Sequence, residues 1–220
     1  MSPWIAPSTP TWVGELDRHA AIEPLVVHRR FGAARLLVTS GGTPVGVVEV
    51  PLVEGRATTA TLRHALETQL GDRPDPAAPP AAFDPVTVVV ATRGRPDSVA
   101  RCARALLDGD HPDLTVLVVD NDPVDDRTAE VVRRLDDPRV RYVREARRGA
   151  SVGRNRGLQE ATTDIVAFTD DDTEPDRAWA VRIAGAFAAD PDIACVSGPV
   201  LAARLATAEE LAADSALAWN

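Results

Sequence analysis

The stretch Ile165-Val166-Ala167-Phe168-Thr169-Asp170-Asp171-Asp172-Thr173-Glu174-Pro175 decides how this chain is read. Its first five residues are apolar or strand-forming, three carboxylates follow at once, and Pro175 punctuates the turn. A short apolar run with β-branched and aromatic members reads as a buried strand. Parallel strands covered on both faces show such continuous runs, and open α/β sheets bind ligands beyond the carboxyl ends of their strands. The Asp cluster is therefore expected at the ligand-binding edge of a parallel sheet.

Three adjacent carboxylates make a poor structural device. Two like charges about 4 Å apart cost roughly 1 kcal/mol in water, and more where solvent is partly excluded. A divalent cation removes that repulsion, and hard oxygen ligands suit Mg²⁺ or Mn²⁺. In extended backbone, residues two apart share a face, so Asp170 and Asp172 are expected to face one ion while Asp171 points away. Mg²⁺ takes few protein carboxylates and completes its shell with phosphate oxygens and water, which suggests a metal–diphosphate site. The plainer alternative is an acidic turn in which Asp172 or Thr173 caps the helix after Pro175. An EF-hand loop is excluded, because its sixth position holds Pro175 instead of Gly and its twelfth Val181 instead of Glu.

Outward from this stretch, strands and helices alternate. Val86-Thr87-Val88-Val89-Val90-Ala91 reads as a buried strand with Thr92-Arg93-Gly94-Arg95-Pro96 as its exit loop. Asp97 is expected to cap a helix that carries Val99, Cys102, Ala103, Leu106 and Leu107 on one face. Leu114-Thr115-Val116-Leu117-Val118-Val119 is the next strand and ends in Asp120-Asn121-Asp122. A helix over 127–135, a short strand over 140–143 and a helix over 149–161 follow. After the Asp cluster come a helix over 175–189 and a strand over 193–197. Such alternation predicts the α/β class, with a mainly parallel sheet covered by helices.

In that fold the loops at 92–95, 120–122 and 170–172 converge on one crevice. Asp120 and Asn121 offer an acceptor and an amide for a base edge or ribose hydroxyls, although Asn-Asp-Pro is also a good turn by itself. Residues 127–156 hold ten Arg against four acids. Of these, Arg147, Arg148, Arg154 and Arg156 bracket a helix start at Gly149-Ala150-Ser151-Val152-Gly153. Helix amino termini and guanidinium forks both favour phosphate, while the bland alternative is a solvated basic face. The Gly-x-Ser-x-Gly spelled there is not a nucleophile elbow. Charged Arg144-Glu145-Ala146-Arg147-Arg148 precedes it in place of an apolar strand, and no His follows His111.

The remainder of the chain frames this region. Residues 1–20, with Trp4 and Trp12, read as irregular chain placed against the domain that follows. Leu25-Val26-Val27-His28-Arg29-Arg30-Phe31, Ala34-Arg35-Leu36-Leu37-Val38-Thr39 and Pro44-Val45-Gly46-Val47-Val48-Glu49-Val50 form an expected three-stranded meander with turns at Gly32 and Gly41-Gly42. Leu62, Leu66 and Leu70 at four-residue spacing predict a helix that ends at Gly71. His28 and His64 read as surface or packing residues. Pro74, Pro76, Pro79, Pro80 and Pro85 mark an extended linker. The expected organisation is a small α+β domain over 1–70, a linker over 71–84 and a second domain over 85–220.

Composition excludes several classes. A net charge of −9 gives no bulk attraction to nucleic acid or anionic membrane. All 24 basic residues are Arg, so a lysine Schiff base and a Walker phosphate loop are both absent. Cys102 and Cys195 lack metal-like spacing and read as buried, reduced thiols. No apolar run reaches the length of a membrane span and no secretory signal opens the chain, so a cytoplasmic location is expected.

Taken in order, the strand and loop at 86–96, Val118-Val119-Asp120-Asn121-Asp122, Gly149-Ala150-Ser151-Val152-Gly153-Arg154-Asn155-Arg156-Gly157 and Phe168-Thr169-Asp170-Asp171-Asp172 resemble the motifs of family 2 glycosyltransferases of the GT-A fold. The resemblance covers roughly residues 84–200. It implies a nucleotide-diphosphate-sugar donor, a divalent metal (Mn²⁺ or Mg²⁺), and transfer to an unknown acceptor with inversion at the anomeric carbon. By motif match it places Ala91, Thr92, Arg93, Gly94, Asp120 and Asn121 near base and ribose. Asp170 and Asp171 join them as donor contacts, Asp170 and Asp172 hold the metal, and Arg154 neighbours the diphosphate. Asp122-Pro123 departs from the Gly-Ser or Asn-Ser common in the family. Members also continue beyond the helix expected at Ala218-Trp219-Asn220, so the catalytic base is expected past Asn220. The rival readings are a nucleotidyltransferase and a sugar-nucleotide-binding module without turnover.

Overall fold

The computed structural model describes residues 9–76 and 84–216. Trp4, residues 77–83 of the expected Pro/Ala linker and the last four residues lie outside the described residues. The chain divides into two compact units, one of residues up to 77 together with 198 onward, the other of 78–197.

The first unit opens with β1 (Thr11–Asp17), β2 (Leu25–Val26), β3 (Ala33–Ser40), β4 (Thr43–Pro51), β5 (Arg56–Ala57) and α1 (Thr59–Gln69). β1 runs parallel to β3, and β3 pairs antiparallel with β4. The expected meander is therefore corrected at its first strand. Pro24 and the charged His28-Arg29-Arg30 leave only Leu25–Val26 extended, paired with β5, and β1 takes the vacant side of β3. Trp12, on β1, packs against the core of Leu36, Val38, Val48, Val50 and Leu62. α1 is the helix the leucine spacing predicts. Thr58 caps it by accepting a hydrogen bond from the Thr61 N–H at 3.1 Å, and Gly71 follows at a φ of +59°.

The second unit is built from β6 (Val86–Thr92), α2 (Pro96–Leu107), β7 (Leu114–Asn121), α3 (Arg127–Leu135), β8 (Val140–Glu145), α4 (Ala150–Glu160), β9 (Ile165–Asp170) and α5 (Trp179–Ala189). Its four strands pair in parallel in the order β8-β7-β6-β9, which is the mainly parallel α/β sheet expected. Side-chain alternation splits β6 between two faces. Val86, Val88 and Val90 pack with Val99, Cys102, Ala103 and Leu106 of α2 and with Ala180 and Ala184 of α5. Val89 lies with Leu117 and Val119 on the other face, under α4. Two glycines one turn apart let α4 come close. A Cβ on Gly157 would lie 2.3 Å from Val89 Cγ1, and one on Gly153 would lie 3.3 Å from Ala91 Cβ.

Four expectations need adjustment here. α2 begins with Pro96 at its first turn, where the ring's fixed φ suits helix entry, so Asp97 sits inside the helix instead of capping it. α5 starts at Trp179, four residues after Pro175. Residues 193–197 form no strand, and Cys195 is exposed while Cys102 is buried. That run is short, is bracketed by Pro191 and Pro199, and enters no ladder.

Residues 198–216 group with the first unit, although the sequence placed them with the second. The Thr11 N–H donates to the Leu205 carbonyl at 2.8 Å. Leu205 and Leu211 are buried, the latter on α6 (Ala208–Ala216). Arg35, on β3 and 3% exposed, donates through Nη1 to Asp214 at 2.8 Å and through Nη2 to Glu49 at 2.9 Å. Among the described residues no helix is long and apolar enough to cross a membrane.

Candidate functional site

The register of the parallel sheet brings the strand ends together. Ala91 pairs with Asp170 and Thr92 with Asp120, so the exits of β6, β7 and β9 share one edge. A cavity of about 440 Å³ opens there. Its lining includes Ala91, Thr92, Arg93, Arg95, Asn121, Arg148, Gly149, Arg154 and the three aspartates 170–172.

The aspartates separate into one inward and two outward side chains, as expected, although β9 ends at Asp170 and Asp171-Asp172 lie in the turn that follows. The Asp171 residue is 5% exposed. It accepts the Thr92 hydroxyl at 2.5 Å on Oδ2 and the Arg95 Nη1 at 3.1 Å on Oδ1. Asp170 and Asp172 keep side chains that are 64% and 60% exposed. Asp170 Oδ1 accepts from Arg154 Nη2 at 2.7 Å, and Asp172 Oδ2 accepts from Arg95 Nη1 at 3.1 Å. The turn is fixed from behind: Thr173 donates its hydroxyl to the Asp170 carbonyl at 2.8 Å. Cys102 Sγ lies 3.6 Å from that carbonyl, and burial pushes its thiol pKa up to about 11. Asp171 and Asp172 together hold the Arg95 guanidinium more firmly protonated than usual.

Arginines supply the opposite charge. Gly94, at a φ of +66°, turns the backbone between Arg93 and Arg95. Arg93 reaches Asp122 at 2.8 Å on one side, and Arg95 reaches the Asp cluster on the other. Arg148 joins them from the loop before α4. The amide of Asn121 donates to the Arg147 carbonyl at 2.5 Å, and its oxygen accepts the Gly149 N–H at 2.8 Å. Glu145 secures the same loop by accepting the Arg147 N–H at 2.9 Å and its Nε at 3.0 Å. This pairing draws the Glu145 carboxyl down to about 2.

Residues 87–201, just over half of the chain, match the family model of Glycosyl transferase family 2. The chain belongs to that family. Over 171 residues this family 2 chain is 30% identical to the pre-mycofactocin glycosyltransferase of Mycobacterium tuberculosis, covering 71% of this chain and 34% of that protein. Over 93 residues it is 32% identical to the GalNAc(5)-diNAcBac-PP-undecaprenol beta-1,3-glucosyltransferase of Campylobacter jejuni, covering 40% of this chain and 30% of that protein. Among solved structures it is similar to the mannosyltransferase PcManGT from Pyrobaculum calidifontis in complex with GDP-Man and Mn²⁺, at 30% identity and a TM-score of 0.47. That match covers 62% of this chain and 43% of the other. The chain spans about a third or less of the length of the curated relatives it matches. Family membership favours glycosyl transfer over the nucleotidyl transfer weighed from sequence.

Most of the residues that the family resemblance singled out meet at the cavity: Ala91, Thr92, Arg93, Asn121, Arg154, Asp170, Asp171 and Asp172 all line it. Gly94 shapes the loop without lining the cavity. Asp120 is 1% exposed and lies behind the lining, with Oδ2 accepting the Tyr142 hydroxyl at 2.9 Å. Burial raises its pKa, against the pull of the Tyr142 and Thr128 hydroxyls. Asn121 spends both ends of its carboxamide on the 147–149 backbone, so its observed part is to hold that loop. Arg95 was read only as part of the 92–95 exit loop, and Arg148 only as one of four arginines bracketing the helix start; neither was singled out as a donor contact. Arg95 could have been found from its place beside Pro96, the helix-entry signal, which fixes it at the mouth of the first exit loop.

Proposed function

We propose that this chain binds a nucleotide-diphosphate sugar and serves an inverting glycosyl transfer to an acceptor hydroxyl, with Mg²⁺ or Mn²⁺ held by Asp170 and Asp172. One observation carries the reading. In a family 2 chain, two exposed carboxylates and four arginines, Arg93, Arg95, Arg148 and Arg154, line a single cavity at the carboxyl edge of a parallel sheet. Carboxylate and guanidinium together match a metal–diphosphate pair, because the anion needs cationic forks and the cation needs hard oxygens.

The donor set fits such a metal. Among the described residues no group of three His, Cys, Asp or Glu stands ready to hold an ion. An ion held at Asp170 and Asp172 would take two carboxylates from the protein and its other ligands from phosphate and water. When bound, the ion would offset charge on the departing nucleoside diphosphate. The chain's own residues do the rest. Asp171 stays inward and locks the loops at 92–95 and 170–172 together. Arg93, Arg95, Arg148 and Arg154 receive the diphosphate, and the Asn121-held loop presents the start of α4 beside it. The general base that takes the acceptor proton is assigned to none of the cavity aspartates, because Asp170 and Asp172 would hold the metal and Asp171 is buried against Thr92 and Arg95.

The test is a thermal-shift screen of UDP, GDP and their sugar conjugates, with and without Mn²⁺, on the wild type and Asp172→Asn. Stabilisation that requires Mn²⁺ is expected in the wild type and absent in the variant. The substitution itself is expected to change stability by less than about 1 kcal/mol, as befits an exposed ion pair. Unchanged metal-dependent binding in Asp172→Asn refutes the assignment.

A further inference from the structure

Each outward carboxylate of the cluster already has a cation, and the two cations are differently held. Arg154, in the second turn of α4, pairs with Asp170 at 2.7 Å, and both side chains are largely in solvent at 44% and 64% exposure. Arg95 divides one nitrogen, Nη1, between Asp172 and Asp171, at 3.1 Å each. Asp171 is fixed by Thr92 and buried. Arg95 can therefore release Asp172 and remain anchored, whereas Arg154 leaves the cluster altogether when it releases Asp170. Arg148 lines the same cavity at the mouth of α4.

From this we infer that Arg154 and Arg95 are exchangeable counterions. They neutralise Asp170 and Asp172 in the empty cleft, and they transfer to the diphosphate oxygens of the donor when a divalent cation and the diphosphate bind together. The inference rests on the metal–diphosphate reading above and adds to it how the two ligands are coupled. A cation arriving alone must displace guanidinium groups that then have no anion to meet. Like charges 4 Å apart in water weaken binding roughly fivefold per pair. A diphosphate arriving alone finds three of its arginines already paired, Arg93 with Asp122, Arg95 with Asp171 and Asp172, and Arg154 with Asp170, and exposed carboxylates beside it. Only together do all charges find partners, so each ligand tightens the other by the same factor. The cleft thereby discriminates against free metal and against free nucleotide.

The consequence is a variant with opposite effects on the two ligands. Calorimetric titration of Mn²⁺ alone into the metal-free full chain is expected to show Arg154→Gln binding about two- to fivefold more tightly than the wild type, the worth of one exposed ion pair. Arg95→Gln should do the same to a lesser extent. At saturating Mn²⁺, titrations of UDP and of GDP should show Arg154→Gln binding its nucleotide more weakly than the wild type. Arg154→Lys, which keeps the charge, should track the wild type for Mn²⁺ alone. Asp170→Asn with Asp172→Asn should lose Mn²⁺ altogether. Both arginines are half-exposed, and thermal melts of each variant verify that the fold stands. If Arg154→Gln binds Mn²⁺ alone no better than the wild type while the double Asn variant loses it, the exchange is refuted and the metal site survives. If Mn²⁺ binds none of the proteins even with UDP or GDP present, or ignores the Asn substitutions, both ideas fall.

Discussion

Gly157→Ala is a strict test of how α4 is seated, because helix propensity and packing pull in opposite directions. An added Cβ would lie 2.3 Å from Val89 Cγ1 and 2.8 Å from Cγ2. Carbon atoms pack best near 3.5–4.0 Å, so both contacts are short by about 1 Å. Val89 is 1% exposed and β-branched, so it has no free rotamer into which it can turn. Alanine gains about 1 kcal/mol over glycine inside a helix. Overpacking of a dense core costs about 1–3 kcal/mol, and a contact this short belongs at the upper end. The net expectation is a loss of about 1–2 kcal/mol. Val89→Ala removes both offending atoms and alone should lose about 2 kcal/mol as a cavity. Urea unfolding of the wild type, both single variants and the double variant gives the coupling. The double variant is expected to be about 1–2 kcal/mol more stable than additivity allows. Additive losses, or a stabilised Gly157→Ala protein, would show that α4 does not press on β6 as described.

Other consequences can be checked alongside. Asn121→Ala removes both hydrogen bonds to the 147–149 backbone. It should cost about 1–2 kcal/mol and accelerate hydrogen exchange at the Gly149 amide; retained protection there argues against the clamp. The Glu145 carboxyl is drawn from its ordinary 4.5 to about 2 by Arg147. The folded state thus favours its ionised form, and that contribution is full above pH 4.5 and lost as pH falls toward 2. Glu145→Gln should flatten the slope of stability against pH in that window, whereas equal slopes would contradict the pairing. Arg35→Met leaves Asp214 without its 2.8 Å partner. Removing one member of a buried pair costs about 3–5 kcal/mol, so limited proteolysis should begin to cut within 198–216, and wild-type resistance would speak against that anchor.

The sheet of the second unit was legible because β6, β7 and β9 are short apolar runs that end in polar loops, a pattern few other structures produce. The inward place of Asp171 was legible too from alternation along the chain, although β9 ends at Asp170 and the Thr92, Arg95 and Thr173 bonds that fix the turn were not. β1 was not legible. Gly14, Glu15 and Asp17 interrupt its apolar character, and its half-buried faces give no clean alternation. Its partner β3 lies beyond a stretch, 25–31, that looks more strand-like. Asn121 was read toward a ligand because a carboxamide in an exit loop is ambiguous until its neighbours are known. Those neighbours, Arg147 and Gly149, are 26 and 28 residues further along. Residues 198–216 were assigned by proximity in sequence, and their tie to Arg35 spans 179 residues.

Thr92 and Asp171, whose side chains meet in the cleft, are 79 residues apart. β6 can pair with β7, and β7 with β8, as soon as each leaves the ribosome, but the strand that brings the Asp cluster arrives last. At about 5–20 residues per second, that leaves roughly 4–16 s in which β6 has one unpaired edge. An open edge on an apolar strand is a template for aggregation. The ten arginines of 127–156 emerge within the same interval. Charges of one sign flanking an unavoidable apolar strand act as gatekeepers against misassembly. A surplus of ten arginines over four acids next to that open edge opposes association between nascent chains during the interval.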